Sequence, residues 1–244
     1  MRVYGLTDIG KARAVNQDSF AIEVLEDAEA GVLLVCDGMG GAKGGEIASS
    51  IAVKTIMDSL KLKLKPKMNK QNIRSAIDDA IKLANKNIIS HALEERNLLG
   101  MGTTCVCAVV CDNHITVANV GDSRAYVVEN EKLRQVSDDH SLVNNLVKAG
   151  EITPEEALMH PKKNIITRAL GVDEDVAVDY FNVEIDENMY LVLCSDGLTN
   201  EVSDIEICYE VVNSITEKGA CEALRDIANK RGGHDNITVV VAAF

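Results

Sequence analysis

Four aspartates share one local pattern, an apolar run on one side of the carboxylate and a Gly, Asn or Ser turn on the other. They are Asp37 in VCDGMGG, Asp122 in NVGDSRAY, Asp196 in LCSDGLTN and Asp235 in GGHDNITVVV. A carboxylate at the mouth of an apolar core is costly unless something neutralises it. One Asp-Gly alone reads as the cap of a turn. Four in matching contexts read as strand ends brought to one sheet edge, where like charges cannot all stay ionised unaided. A hard divalent cation resolves that conflict, because Mg2+ and Mn2+ take oxygen ligands and keep part of their water shell. Gly38, which follows Asp37, carries no side chain and would let a cation approach the main chain. Upstream, GKARAVNQDSF places Arg13 on a loop that leads to Asp18. The planar guanidinium fork matches phosphate oxygens, although a lone loop arginine is usually solvated.

The elements that must position these groups are legible as apolar runs. Strands are predicted at 3–7, 19–25, 31–36, 103–111, 114–120, 125–129, 189–195 and 237–244, several of them apolar throughout. Asp112-Asn113 between two such runs predicts a tight hairpin turn. Ile47, Ile51, Ile56 and Leu60 form one helical stripe, and Ile73, Ile77, Ile81, Ala84, Ile88 and Ala92 form another. With Pro66 and its neighbouring lysines between them, the two helices predict an antiparallel hairpin covering one side of a sheet. The segment 138–175 is polar and long, with a short helix expected at 154–158 after a Thr153 cap, and reads as a functional flap. A last helix is predicted at 220–230.

Composition bounds the rest. A chain of 244 residues that is 46% hydrophobic supports one domain, 1–244, with a sizeable core. The net charge of -13 repels nucleic acid and anionic lipid, so neither is an expected partner. The N-terminal MRVYGLTDIG lacks the apolar run of a signal peptide and no stretch resembles a membrane span, which makes the cytoplasm the expected location, and a monomer is the expected form. The seven cysteines include no CxxC pair, which argues against zinc or a redox motif.

Taken in order, RAVNQDSF, DGMGG, GMGTT, VGDSRAY, DHSL, ITRALG, SDGL and HDNITVVV resemble the metal-dependent protein phosphatases, the type 2C serine/threonine family, in its compact bacterial form. The resemblance covers nearly the whole chain. It implies an α+β fold, a four-layer αββα sandwich of two antiparallel sheets flanked by pairs of antiparallel helices, with a centre of two Mn2+ or Mg2+ ions. It also implies roles: Asp37 bridging both ions, the Gly38 carbonyl on the first, Asp196 and Asp235 on the second. Asp122 with Asp196 would hold a third, Asp18 would act through metal-bound water, and Arg13 would bind the substrate phosphate. Two cations about 3.5 to 4 Å apart would supply a bridging hydroxide for in-line attack on phosphorus, without a covalent phosphoenzyme. Phosphoprotein substrates and a cognate cytoplasmic Ser/Thr kinase are the implied partners.

Two positions depart from the animal pattern. Gln17 stands where those relatives carry Glu, and Met39 stands where they carry the histidine proposed as general acid. His140 and His160 are the imidazoles available in the flap, and neither is assigned that role. If Gln17 and Met39 silenced the centre, the chain would be a phosphoprotein-binding module. A hydrolase of small phosphoesters would carry the same metal residues.

Overall fold

Most strands here are apolar on both faces, and the layering accounts for it. The computed structural model describes residues 1–244, apart from the side chains of residues 42, 43 and 96. The chain opens with β1 (Arg2–Asp8), β2 (Asp18–Leu25) and β3 (Ala30–Met39), then the long helices α1 (Gly41–Lys63) and α2 (Lys70–Glu94). Next come β4 (Gly102–Thr103), β5 (Cys105–Cys111), β6 (His114–Val120), β7 (Arg124–Glu129) and β8 (Lys132–Gln135). The flap carries α3 (Leu142–Lys148) and α4 (Pro154–Leu158), and β9 (Asp179–Glu184) and β10 (Tyr190–Cys194) follow. Last are α5 (Asp196–Thr199), α6 (Asp204–Asn213), α7 (Glu217–Lys230) and β11 (Ile237–Ala243).

One sheet has the order β1-β11-β10-β7-β8 and the other β2-β3-β5-β6-β9, with β4 beside β3. All pairings are antiparallel. Alternation along each strand divides its side chains between two cores. On β3, Val32, Leu34 and Cys36 meet α1 and α2, whereas Leu33 and Val35 meet the opposite sheet. On β11, Val240 and Ala242 lie between the sheets and Val239 and Val241 face α6 and α7. The result is the expected α+β sandwich of four layers, helix pair, sheet, sheet, helix pair. The outer faces of the central strands are covered by helices, so no polar alternation is needed to mark them.

The α1–α2 hairpin is antiparallel as expected. Asn87 Nδ2 donates to Thr55 Oγ1 at 3.2 Å and Lys63 pairs with Asp79 at 2.7 Å, so moving forward on α1 moves backward on α2. Asn69 caps α2, its side chain accepting from the Asn72 N–H. The Thr153 cap and the helix at Pro154–Leu158 form as predicted, with a capping box to Glu156. The last helix begins earlier than expected, at Glu217, because the Thr216 side chain accepts from Gly219 N–H and caps it there.

Several elements escaped the reading of the sequence. β8 and β9 are half-exposed edge strands rich in charged and polar side chains, and so lack the apolar run that marked the others. The β7–β8 turn has no glycine, yet Asn130 and Glu131 adopt φ of 50° and 58°. α3, α5 and α6 are short, and α6 buries only Ile207 and Val211. The strand predicted at 103–111 is interrupted at Thr104. Register runs on from Val35↔Val106 to Gly38↔Thr103, but one rung is replaced, because the Asp37 N–H donates to Thr104 Oγ1 at 2.9 Å.

Candidate active site

The antiparallel order brings the C-terminal ends of β3, β6 and β10 to the same edge as the N-terminal ends of β2, β7 and β11. Asp37 ends β3, Asp122 follows β6, Asp196 follows β10 and Asp235 precedes β11. All four, with Arg13 and Gly38, line one cleft of about 490 Å3. Gln17 and Met39 also line it, and the flap contributes Asn164 and Ile166. Asp18 lies opposite Asp37 in the β2–β3 ladder but sits behind the cleft wall, 7% exposed. Its Oδ2 accepts from Ser195 Oγ and Thr238 Oγ1, both at 2.7 Å, and its Oδ1 is buried without a hydrogen-bond partner.

Crowding shows in the acidities. Burial pushes Asp18 up to about 6, against the pull of the two hydroxyls, with Asp196 and Asp235 adding repulsion. Burial raises Asp37 well above the ordinary carboxylate range, and Asp18, Asp196, Asp122 and Asp235 push it further. Asp122 rises to about 7 through burial and then repulsion from Asp196 and Asp139. Asp196 is raised by burial and by Asp235. Each carboxylate makes ionisation of the next harder, and a positive charge among them removes the conflict.

The main chain around the acids is tightly held. Thr104 N–H and Thr103 Oγ1 both donate to the Asp37 carbonyl, at 2.8 and 2.9 Å. Asn236 is the clamp of the Arg13 loop: its Nδ2 donates to the carbonyls of Ile9 and Val15, and its Oδ1 accepts from the Gln17 N–H. Gln17 Nε2 donates to the Gly41 carbonyl at 2.8 Å. A Cβ on Gly38 would stand 2.0 Å from the Gly45 carbonyl oxygen, so the missing side chain lets the first turn of α1 press against the end of β3. Helix docking thus requires Gly38, whereas Gly40, at a φ of 125°, lies against Met101. Gly44 and Gly45 themselves lie within α1.

Sequence reasoning did not single out Thr104, Ser195, Asn236, Thr238, Asn164 or Ile166. A signal existed for Thr104, Ile166, Ser195, Asn236 and Thr238, which lie in the GMGTT, ITRALG, SDGL and HDNITVVV stretches; Asn164 had none. Arg13 is half-exposed and its Nη2 meets Asp235 Oδ2 at 2.7 Å. Among the described residues no histidine lines the cleft. His140 is 5% exposed, and its Nδ1 accepts from the Gly121 N–H at 3.1 Å, which leaves the proton on Nε2 facing Asp179 Oδ2. Burial lowers its pKa despite that carboxylate. Its carbonyl accepts from Thr167 N–H, so His140 ties both ends of the flap to the loop before Asp122. His160 instead accepts from Lys162 N–H within the flap.

The donor chemistry suits a hard cation. It offers carboxylate oxygens, those of Asp37, Asp122 and Asp196 raised by burial and then by mutual repulsion, with the orphaned Asp18 oxygen behind them. Among the described residues no three His, Cys, Asp or Glu side chains stand as a closed ligand set. Mg2+-type ions commonly take one or two carboxylates and complete the shell with water, so they do not require one.

Comparison with known proteins gives the same direction. A family profile described as Protein phosphatase 2C matches residues 10–228. The serine/threonine phosphatase stp of Listeria innocua is 40% identical over 235 residues, covering 96% of this chain and 92% of that protein. The crystal structure of the serine/threonine phosphatase Stp1 from Staphylococcus aureus superposes with a TM-score of 0.90 at 39% identity, covering 99% and 94% of the two chains. The catalytic domain of the phosphatase PstP, solved with two manganese ions, gives a TM-score of 0.86 at 31% identity, covering 99% and 97%. No described helix is long and apolar enough to cross a membrane. A profile spanning most of the chain and relatives at this identity answer the choice between enzyme and binding module: the chain belongs to the protein phosphatase 2C family and is a protein serine/threonine phosphatase.

Proposed function

We propose that residues 1–244 act as one catalytic domain that hydrolyses phosphoserine and phosphothreonine in proteins by direct transfer of the phosphoryl group to water. The observation that carries this reading is the convergence of Asp37, Asp122, Asp196 and Asp235 with Arg13 on one cleft. Asp37 and the Gly38 carbonyl would hold one Mn2+ or Mg2+, Asp37, Asp196 and Asp235 a second, and Asp122 with Asp196 a third. Bound there, such ions supply Lewis acidity and lower the pKa of water.

The chain's own groups do the rest. Arg13 offers its fork to the phosphoryl oxygens and offsets the charge that grows on them in the transition state. Asn236 fixes the loop that carries it. Asp18, locked by Ser195 and Thr238 behind the cleft, keeps one buried oxygen without a partner and would act on the reaction through metal-bound water. Met39 has no proton to give and His140 is engaged elsewhere, so the departing alkoxide takes its proton from water. No cysteine or serine acts as nucleophile. The opposing partner is a cytoplasmic Ser/Thr kinase, because this reaction needs a supply of phosphoprotein.

Phosphate release from a phosphothreonine peptide tests the reading, measured in EDTA and again with Mn2+ in excess. Release restored by the ion is expected. Arg13→Ala should raise KM about tenfold with a smaller change in kcat. An unchanged KM removes Arg13 from phosphate binding, and release undiminished in EDTA removes the metal mechanism.

A further inference from the structure

The cleft opens into a second groove of about 710 Å3 beneath α3 and α4, and the two share Asp122, Asn164 and Asp196. A phosphorylated side chain that reaches the reaction centre brings its polypeptide with it. That polypeptide needs a continuous way out, and this groove is contiguous with the cleft.

Its walls differ in chemistry. On the flap side Leu158 and Met159 are 69% and 86% exposed, an apolar surface next to the path. The other contribution is acidic. Arg124 lines the groove but is spent, because its guanidinium grips both oxygens of Asp139 at 2.7 to 3.0 Å. Lys148 takes Asp138 at 3.1 Å. Among the described residues Asp204, at the start of α6, and Glu155, in the first turn of α4, have no cationic partner. The one unpaired cation in the lining is Lys163. Asp122 and Asp196 at the junction would be neutralised by the ions, and Asp204 and Glu155 against Lys163 leave the groove itself a net negative surface beside an apolar one.

We propose that this groove receives the segment flanking the phosphorylated residue and selects substrates with Lys or Arg there, beside an apolar side chain. It rests on the phosphatase reading and adds a substrate class to it. Charge complementarity of partly exposed groups acts modestly on affinity, and two carboxylates facing one cation are worth about fivefold.

A series of phosphothreonine peptides with Arg, Ala or Glu at each flanking position in turn tests it, read as kcat/KM in Mn2+. Arg should exceed Glu by about fivefold or more at positions on one side. The difference should shrink as ionic strength rises, and Asp204→Asn with Glu155→Gln should erase it. No preference at any position overturns the proposal, as does a preference that survives salt or the double substitution. p-Nitrophenyl phosphate is run alongside with wild type. Release from it with an indifferent peptide series overturns the groove alone, whereas no release from any substrate overturns the phosphatase reading as well.

Discussion

Asp37→Asn should abolish metal-dependent phosphate release, by at least about a thousandfold, while the chain stays folded. The two halves of that expectation have separate causes. Asp37 lines the cleft that also holds Asp122, Asp196, Asp235 and Arg13, so its charge stands at the centre of the proposed ion site. Its main chain is held independently of its carboxyl, by Thr103 and Thr104. Asparagine keeps those backbone bonds and the side-chain shape and removes only the charge. Burial and four neighbouring aspartates disfavour that charge in the metal-free chain, so the variant's metal-free thermal midpoint should equal or exceed that of wild type. Calorimetric Mn2+ binding should weaken in parallel with activity. Full turnover in the variant would dismiss Asp37 from the centre, and a collapse of its circular dichroism would show a structural role instead.

The metal-free protein should lose stability as pH rises from about 4 to 7, and Mn2+ should cancel much of the loss. Asp18 and Asp122 are raised from 3.8 to about 6 and about 7. A folded state with raised carboxyl pKa values binds more protons than the unfolded chain. The associated stabilisation is therefore fully present below pH 3.8 and is lost as pH climbs through 6 and 7. For Asp18 alone the shift corresponds to roughly 3 kcal/mol, which for a chain of this size is on the order of 10 °C in thermal midpoint. A cation among the carboxylates favours their ionised form and reverses the sign. The midpoint gain on adding Mn2+ should thus grow between pH 4 and 7. Thermal scans across that range, with EDTA and with Mn2+, measure it directly, and Asp18→Asn should flatten the EDTA profile in part. A gain that does not grow with pH would mean that the ion does not bind among these acids.

The particular residues show where reading the chain succeeds and where it stops. Asp37, Asp122, Asp196 and Asp235 were recognisable because a charge that interrupts an apolar run is a local anomaly. The α2 stripe, the Thr153 cap and the β5–β6 hairpin were recognisable because each is set within a few residues of itself. β8 and β9 were not, since an edge strand facing solvent needs no apolar face. Asp18 was placed with the other acids by resemblance, yet only the fold shows it behind the cleft, held by Ser195 and Thr238 from two other strand ends. Gly38 was noticed for its missing side chain, but the reason came from Gly45 on the following helix.

By itself, the sequence determined that this chain builds a strand-rich apolar core, that four carboxylates sit at strand ends, and that their order matches one phosphatase family. Periodicity, caps and turn residues act over short stretches, and a motif survives in the order of letters. Tertiary structure alone decided which strand ends meet, which acid stands behind the others, and that the cleft runs on beneath the flap. Those depend on sheet order and on packing between residues far apart in the chain, such as Asp18 with Thr238, 220 positions away, which no local pattern encodes.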